Sequence, residues 1–367
     1  MSREAPPPEL LVPAAMTPRR MSALIGPLLG LALIIFAGGI AEYFKEGSIN
    51  YWSAQNQCLI LTQTVTVAIG AIGMTIIIIA GGIDLSAGSV IALAAVATAW
   101  IVRQFASPDV AYLGGTEAVW LPLIALMVGV LVGTLAGAAN GLLVTGLRLV
   151  PFIITLGMMT FARGSAKWIA HEQRIDAPLN WISTFTGANL TPLWWTIDGG
   201  TWEIPFHLTK SVVFSTAVVV TILLAIMTAI LLGRTRFGRH VFAIGSNEST
   251  ARLCGVQVEK TKWLIYALGG ATFGLAGVTD FGRLSVGDPT TALGKELDII
   301  AAVVIGGGSL SGGSGSVFGS LIGALLMAHL RNVCVHLGLP NFVQEMVVGV
   351  VIIVAVAVDK LRHRQKD

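Results

Sequence analysis

Two long apolar runs in this chain are interrupted by the same glycine-rich break. The first reads Met74-Thr-Ile-Ile-Ile-Ile-Ala-Gly-Gly-Ile-Asp84-Leu-Ser-Ala-Gly-Ser89, the second Ile299-Ile-Ala-Ala-Val-Val-Ile-Gly-Gly-Gly-Ser309-Leu-Ser-Gly-Gly-Ser314, and another apolar segment follows each. Runs this apolar belong in hydrocarbon, yet paired glycines unwind a helix. Unwound backbone survives in a bilayer only where protein or a water-filled path satisfies its polar groups. Repeated interrupted helices of this kind are the sequence mark of a transporter core.

Composition agrees. Of 367 residues, 54% are hydrophobic and 12% charged, against about 25% charged in a soluble domain, and the mean hydropathy is +0.79. A spanning helix needs about 20 apolar residues. By that ruler spans fall near 21–40, 58–80, 120–147, 149–169, 212–232, 263–281, 316–337 and 341–358, with shorter candidates at 88–102 and 297–306. The expected fold is all-α and polytopic, with about ten transmembrane helices and glycine-broken helix repeats. Residues 297–305 rise only about 14 Å, which puts the Gly306–Gly308 break at depth unless polar residues before Leu297 extend the helix.

Charge orients the bundle. Loop 233–262 carries Arg234, Arg236, Arg239, Arg252, Lys260 and Lys262 against Glu248 and Glu259, and the tail carries Lys360, Arg362, Arg364 and Lys366. Arg19-Arg20 precede the first span. All three belong on the cytoplasmic side, so both termini are expected inside. The chain divides into a disordered tail (1–20), a transmembrane domain (21–358) and a cytoplasmic tail (359–367). The loop at 171–211 faces outward, its Trp181, Trp194, Trp195 and Trp202 forming an interfacial belt or a docking surface for an external partner.

Glycines recur every four residues at Gly129, Gly133, Gly137 and Gly141, at Gly315, Gly319 and Gly323, and at Gly270 and Gly274. That spacing lets helix backbones approach closely and predicts a compact bundle. In the inward loop, Ser246 or Asn247 caps a short helix with Glu248 in its first turn, and Gly255 ends it. A two-turn helix outside the membrane suits insertion into a groove on another protein.

Charged groups inside the spans are few, whereas serines, threonines and glycines are many. Asp84 reads as a cap for the helix beginning near Ala87, with a gate or a direct substrate contact as the other roles a carboxylate there can take. Asp298 follows the same logic, with Lys295 and Glu296 as ion-pair partners. Asn140 reads as interhelical glue, Arg163 and Lys167 as snorkelling residues, and His329 as a hydrogen-bonded core residue near Arg331. Cys58, Cys254 and Cys334 are scattered without metal or redox spacing. No metal or cofactor is expected, no catalytic constellation stands out, and the chain has no phosphate-binding Gly-x-x-x-x-Gly-Lys-Ser/Thr loop. It is not expected to hydrolyse ATP itself.

Three motifs are similar to those of the permease subunit of bacterial monosaccharide ABC importers, the ribose/xylose/arabinose/galactose type. They are Gly70-Ala-Ile-Gly-Met-Thr with Gly-Gly-Ile-Asp84-Leu-Ser, then Ala139-Asn140-Gly-Leu-Leu-Val with Val150-Pro-Phe-Ile-Ile-Thr155. The third joins Phe237-Gly-Arg, Ala243-Ile-Gly-Ser-Asn247-Glu and Ala251-Arg-Leu-Cys-Gly-Val to Glu296-Leu-Asp298 and the second glycine break. The resemblance covers roughly 58–358. The long N-terminal tail and the tryptophan-rich loop depart from the usual pattern. It implies a homodimer or a pair of similar permeases in the inner membrane, a cytoplasmic ATPase subunit, a periplasmic sugar-binding protein and no nucleic-acid partner. It further implies coupling to the ATPase through Phe237, Gly238, Arg239, Asn247, Glu248, Ala251, Arg252 and Gly255. The pathway or gate would use Asp84, Ser86, Asn140, Thr155, Asp298, Ser309 and Ser311. The competing reading is an ion-coupled secondary transporter, which the basic inner loop and the shortage of aligned acidic residues disfavour. A membrane-embedded enzyme would need a nucleophile or metal cluster at depth.

Overall fold

A computed structural model describes residues 18–47, 50–107, 113, 117–186 and 215–364. Residues 1–17 of the tail, Trp194, Trp195 and Trp202 of the 171–211 loop and the chain beyond 364 lie outside the described residues. Thirteen α-helices occur among the rest: α1 (Pro18–Glu46), α2 (Ala54–Ile79), α3 (Ala87–Phe105), α4 (Glu117–Leu147), α5 (Pro151–Ile169), α6 (Trp181–Thr186), α7 (Thr216–Arg234), α8 (Arg236–Ser246), α9 (Glu248–Leu253), α10 (Val258–Leu284), α11 (Lys295–Ile305), α12 (Val317–His336) and α13 (Asn341–Arg364). Each of the ten apolar segments read from the sequence is one of these helices. Among the described residues seven of them (α1, α2, α3, α4, α7, α10 and α12) are long and apolar enough to cross a membrane unaided.

The centre is α2. It is apolar on every side, and a helix hydrophobic all round is a buried helix. Its residues from Thr64 to Ile79 are buried without a gap, and α7, α10, α11 and α12 pack around it. The glycine stripes explain how closely the other helices approach. A Cβ at Gly137 would lie 2.8 Å from Gly270 Cα, and one at Gly274 would lie 2.9 Å from Val130 Cα, so α4 and α10 meet backbone to backbone. On α12, Gly319 and Gly323 face Gly306 and Ala302 in the same manner and seat it on α11.

The two breaks are the same piece of local chemistry. After α2, Gly82 N donates to Ile77 O (3.0 Å) and Gly81 N to Ile78 O (2.9 Å), with Gly81 at φ +81°. After α11, Gly308 N donates to Val303 O (2.8 Å) and Gly307 N to Val304 O (2.9 Å), with Gly307 at φ +91°. Both helices therefore end in a Schellman cap, whose left-handed residue is almost obligatorily glycine. The caps satisfy the carbonyls of Ile77, Ile78, Val303 and Val304, and Gly306, Gly308 and Ser309 are buried in protein. Lys295 and Glu296 do extend α11, but its 11 residues span only about 16 Å, half the hydrocarbon thickness.

Residues 171–186, the described part of the 171–211 loop, carry structure of their own. Ile175–Asp176 pairs antiparallel with Val286–Gly287 in the register Ile175↔Gly287 and Asp176↔Val286, and the short α6 packs on α10. Ser183 and Ser285 share a hydrogen bond of 2.6 Å that holds the two loops together.

Candidate functional site

The first break gathers four of the expected pathway residues into one buried network. Asp84 is fully buried. Its Oδ1 accepts from Ser86 N (2.8 Å) and Ser86 Oγ (2.5 Å), so it serves the start of α3 much as a cap would. Asn140 on α4 donates through Nδ2 to Asp84 Oδ2 (3.3 Å) and Ser86 Oγ (3.0 Å). Thr155 on α5 accepts from Leu85 N (3.2 Å). One broken loop is thus tied to two neighbouring helices through buried hydrogen bonds, each of which would be costly to lose. Tyr266 OH and Asn140 Oδ1 are buried without a hydrogen-bond partner among the described residues. A Cβ at Gly82 would come within 2.5 Å of that same Tyr266 hydroxyl.

The second break folds a turn of its own. Ser309 N donates to Ser314 O (3.1 Å), Gly312 N to Ser309 O (3.0 Å) and Ser311 N to Ser309 Oγ (3.3 Å). Asp298 stands two turns before it on α11 and is tied to α12, because Arg331 Nη2 donates to both carboxylate oxygens (2.9 and 2.8 Å). Lys295 Nζ lies 3.6 Å away, as expected, but Arg331 is the principal partner and was not paired with Asp298 from the sequence. The signal was present: opposite charges sit in consecutive apolar segments on either side of a break that folds them back antiparallel.

One further reading changes. Arg163 does more than snorkel: its Nη1 donates to Pro289 O (2.7 Å) and Thr291 O (2.8 Å), fastening α5 to the α10–α11 connection. His329 is hydrogen-bonded in the core as expected, to Tyr51 OH at 2.9 Å. Behind it lies a buried carboxylate absent from the sequence reading. Glu42 accepts from Tyr51 N (2.6 Å) and pairs with His336 (3.0 Å), joining α1 to α12.

The 233–262 loop is two helices rather than one. Thr235 caps α8 by accepting from Gly238 N (3.2 Å). Of the two candidate caps for the next helix, Asn247 is the one used: its Oδ1 accepts from Thr250 N (2.9 Å). Gly255, at φ +83°, closes α9, with Val256 N donating to Ala251 O (3.1 Å). Ala251 is buried with Ile244 and Val258 and so fixes α9 against α8 and α10. Glu248 bonds Lys262 Nζ (2.6 Å), and Arg252 pairs with Glu259. The Glu259 carboxylate beside it raises the Arg252 guanidinium pKa above its ordinary value. Phe237 is half-buried, Gly238 buried and Arg239 exposed. At the tip Leu253 is 88% exposed, a large apolar side chain standing on an otherwise charged surface.

A polytopic α-helical bundle with two matched helix breaks, and a capped helical pair at the membrane exit, defines a transport permease. Residues 57–356 match the family described as branched-chain amino acid transport system / permease component, and the chain belongs to that family. The ribose import permease protein RbsC of Escherichia coli (strain K12) is 36% identical over 86% of this chain and 89% of its own length. The fructose import permease protein FrcC of Rhizobium meliloti is 33% identical over 91% of this chain and 84% of its own. The probable ABC transporter permease protein YphD of Escherichia coli (strain K12) is 33% identical over 89% and 88%. No solved structure matches the chain.

Proposed function

We propose that this chain is the membrane subunit of an ATP-binding cassette importer that moves a monosaccharide across the inner membrane, with ATP hydrolysed by a separate cytoplasmic subunit. The observation that carries the reading is the α8–α9 pair. It is capped at both ends, braced on α10 by ion pairs, and presents Leu253 outward. An exposed leucine on a charged cytoplasmic helix is suited to fill an apolar socket on a partner. Phe237, Gly238, Arg239, Asn247, Glu248, Ala251, Arg252 and Gly255 then divide the work. Phe237, Gly238 and Ala251 seat the pair, Asn247 and Gly255 shape it, Glu248 and Arg252 are the charged residues of the helix that carries Leu253, and Arg239 adds an exposed charge on α8.

A sugar is favoured as cargo because relatives aligned over most of their length are named for ribose and fructose. The family description names another cargo, so membership alone does not choose. The Asp84–Ser86–Asn140–Thr155 network and the Asp298–Arg331 pair act in this account as gate elements, and Ser309 and Ser311 shape the second gate turn. Two permease copies, identical or similar, flank the pathway, and an external binding protein delivers the sugar. Both termini lie in the cytoplasm.

Co-purification with the ATPase subunit tests the reading. Leu253→Glu is expected to lose the ATPase while the permease stays folded and monodisperse. Retention of the ATPase by Leu253→Glu together with Arg252→Glu would refute the handle.

A further inference from the structure

We propose that Gly245 is the positioning residue through which the cytoplasmic handle acts on both helix breaks at once, an inference that rests on the ATP-driven reading above. Gly245 is the penultimate residue of α8. A Cβ placed on it would fall onto the carbonyl oxygen of Ile79, the last residue of α2, and within 2.6 Å of Gly313 N. Those two atoms are bonded to each other: Gly313 N donates to Ile79 O at 2.8 Å. Gly245 therefore covers the hydrogen bond that joins the first break to the second. A Cβ at Gly312 would meet Gly245 O at 2.6 Å and Gly81 Cα at 3.0 Å, and one at Gly313 would meet Ser246 Cα at 3.1 Å. Backbone atoms of three segments far apart in the chain, 79–81, 245–246 and 312–313, thus meet directly.

Backbone contact matters for transmission. A side chain squeezed by a neighbour can change rotamer and absorb a small displacement, whereas packed backbone has no such freedom, and packed interiors pass strain on. The mechanical route is short. Leu253 ends α9, Ala251 of α9 packs on Ile244 of α8, and Ile244 adjoins Gly245. A single residue, Asn247, separates α8 from α9, so the pair moves as one body. Displacement of that body by the ATPase reaches Ile79 O and Gly312 together. It moves both breaks in one step, and with them the Asp84 loop that follows Gly82.

Hydrogen exchange on the complete transporter, this chain with its ATPase and binding protein in nanodiscs, tests the proposal. Trapping ATP with a hydrolysis-deficient ATPase is expected to change exchange in peptides spanning 79–85 and 308–315 together. The Gly313 amide should shift by about tenfold or more, within the ~5–150-fold range of conformational couplings. A change confined to 248–253, or at one break only, would overturn it. Failure of the underlying reading registers differently, as no ATP-dependent change in 248–253 at all. In Gly245→Ala complexes that assemble, ATP hydrolysis should continue while sugar uptake per ATP falls about tenfold. Uptake per ATP equal to that of the native complex would also overturn the proposal. The exchange measurement on the native complex decides the matter if Gly245→Ala fails to fold.

Discussion

Removing Arg331 should reveal how much the bundle depends on one ion pair. The Asp298 side chain is 2% exposed, and Arg331 holds both its oxygens at 2.8–2.9 Å. Arg331→Met leaves that carboxylate with Lys295 alone, 3.6 Å away and reaching from a side chain that is 33% exposed. Stranding a buried charge costs about 3–5 kcal/mol, and a charge near a bilayer centre costs about 2.5–3.5 kcal/mol on insertion scales. With Lys295 still present, the expected loss is about 3 kcal/mol. The reverse change should be milder. Asp298→Asn keeps a hydrogen-bond acceptor, and Arg331, 35% exposed, can carry its charge outward, so about 1–2 kcal/mol is expected. The double variant removes both charges and should lose about 2–3 kcal/mol rather than the additive sum of about 4–5, a coupling energy of about 2 kcal/mol in a double-mutant cycle. Reversible unfolding in mixed micelles, followed by tryptophan fluorescence, measures all four corners. Strict additivity, or an Arg331→Met protein as stable as the native one, would refute the reasoning.

Asn140→Ala removes the amide that donates to Asp84 and Ser86 and should cost about 1–3 kcal/mol in the same unfolding assay, since a buried carboxylate oxygen loses its donor. Glu248→Gln should leave the unfolding curve unchanged, because its ion pairs are exposed and such pairs contribute little. A loss of ATPase stimulation in that variant would then report on the partner surface rather than on folding. Bulky residues at both Gly238 and Ala251, which are buried against Leu232 and against Ile244 and Val258, should uncouple ATP hydrolysis from uptake, measured side by side in vesicles.

What could be read in advance was whatever a local pattern carries. The Gly81 and Gly307 breaks announce themselves because one helix-ending motif demands a left-handed residue, and the stripe from Gly129 to Gly141 because a 3.6-residue period puts it on one face. Asn247 and Gly255 are likewise visible, since a cap acts within four residues. The Asp298–Arg331 pair spans 33 positions and two helices, so its partners become neighbours only after α11 and α12 fold back on each other. Glu42 and His336, almost 300 positions apart, are further still beyond local reading. The Ile175–Asp176 strand and α6 escaped notice because they are too short to show a period, and a turn packed on α10 stabilises them instead. Arg163 was misjudged for a related reason: its partners are main-chain carbonyls of a distant connection, which carry no side-chain signature.

Uptake of labelled monosaccharide into proteoliposomes gives the most direct test of the central claim, that this bundle is a gate driven from outside itself. The account predicts accumulation only when the ATPase subunit, the binding protein and ATP on the ATPase side are all present, with no response to collapse of a proton or sodium gradient. Uphill accumulation by the permease alone, abolished by a proton uncoupler, would contradict it.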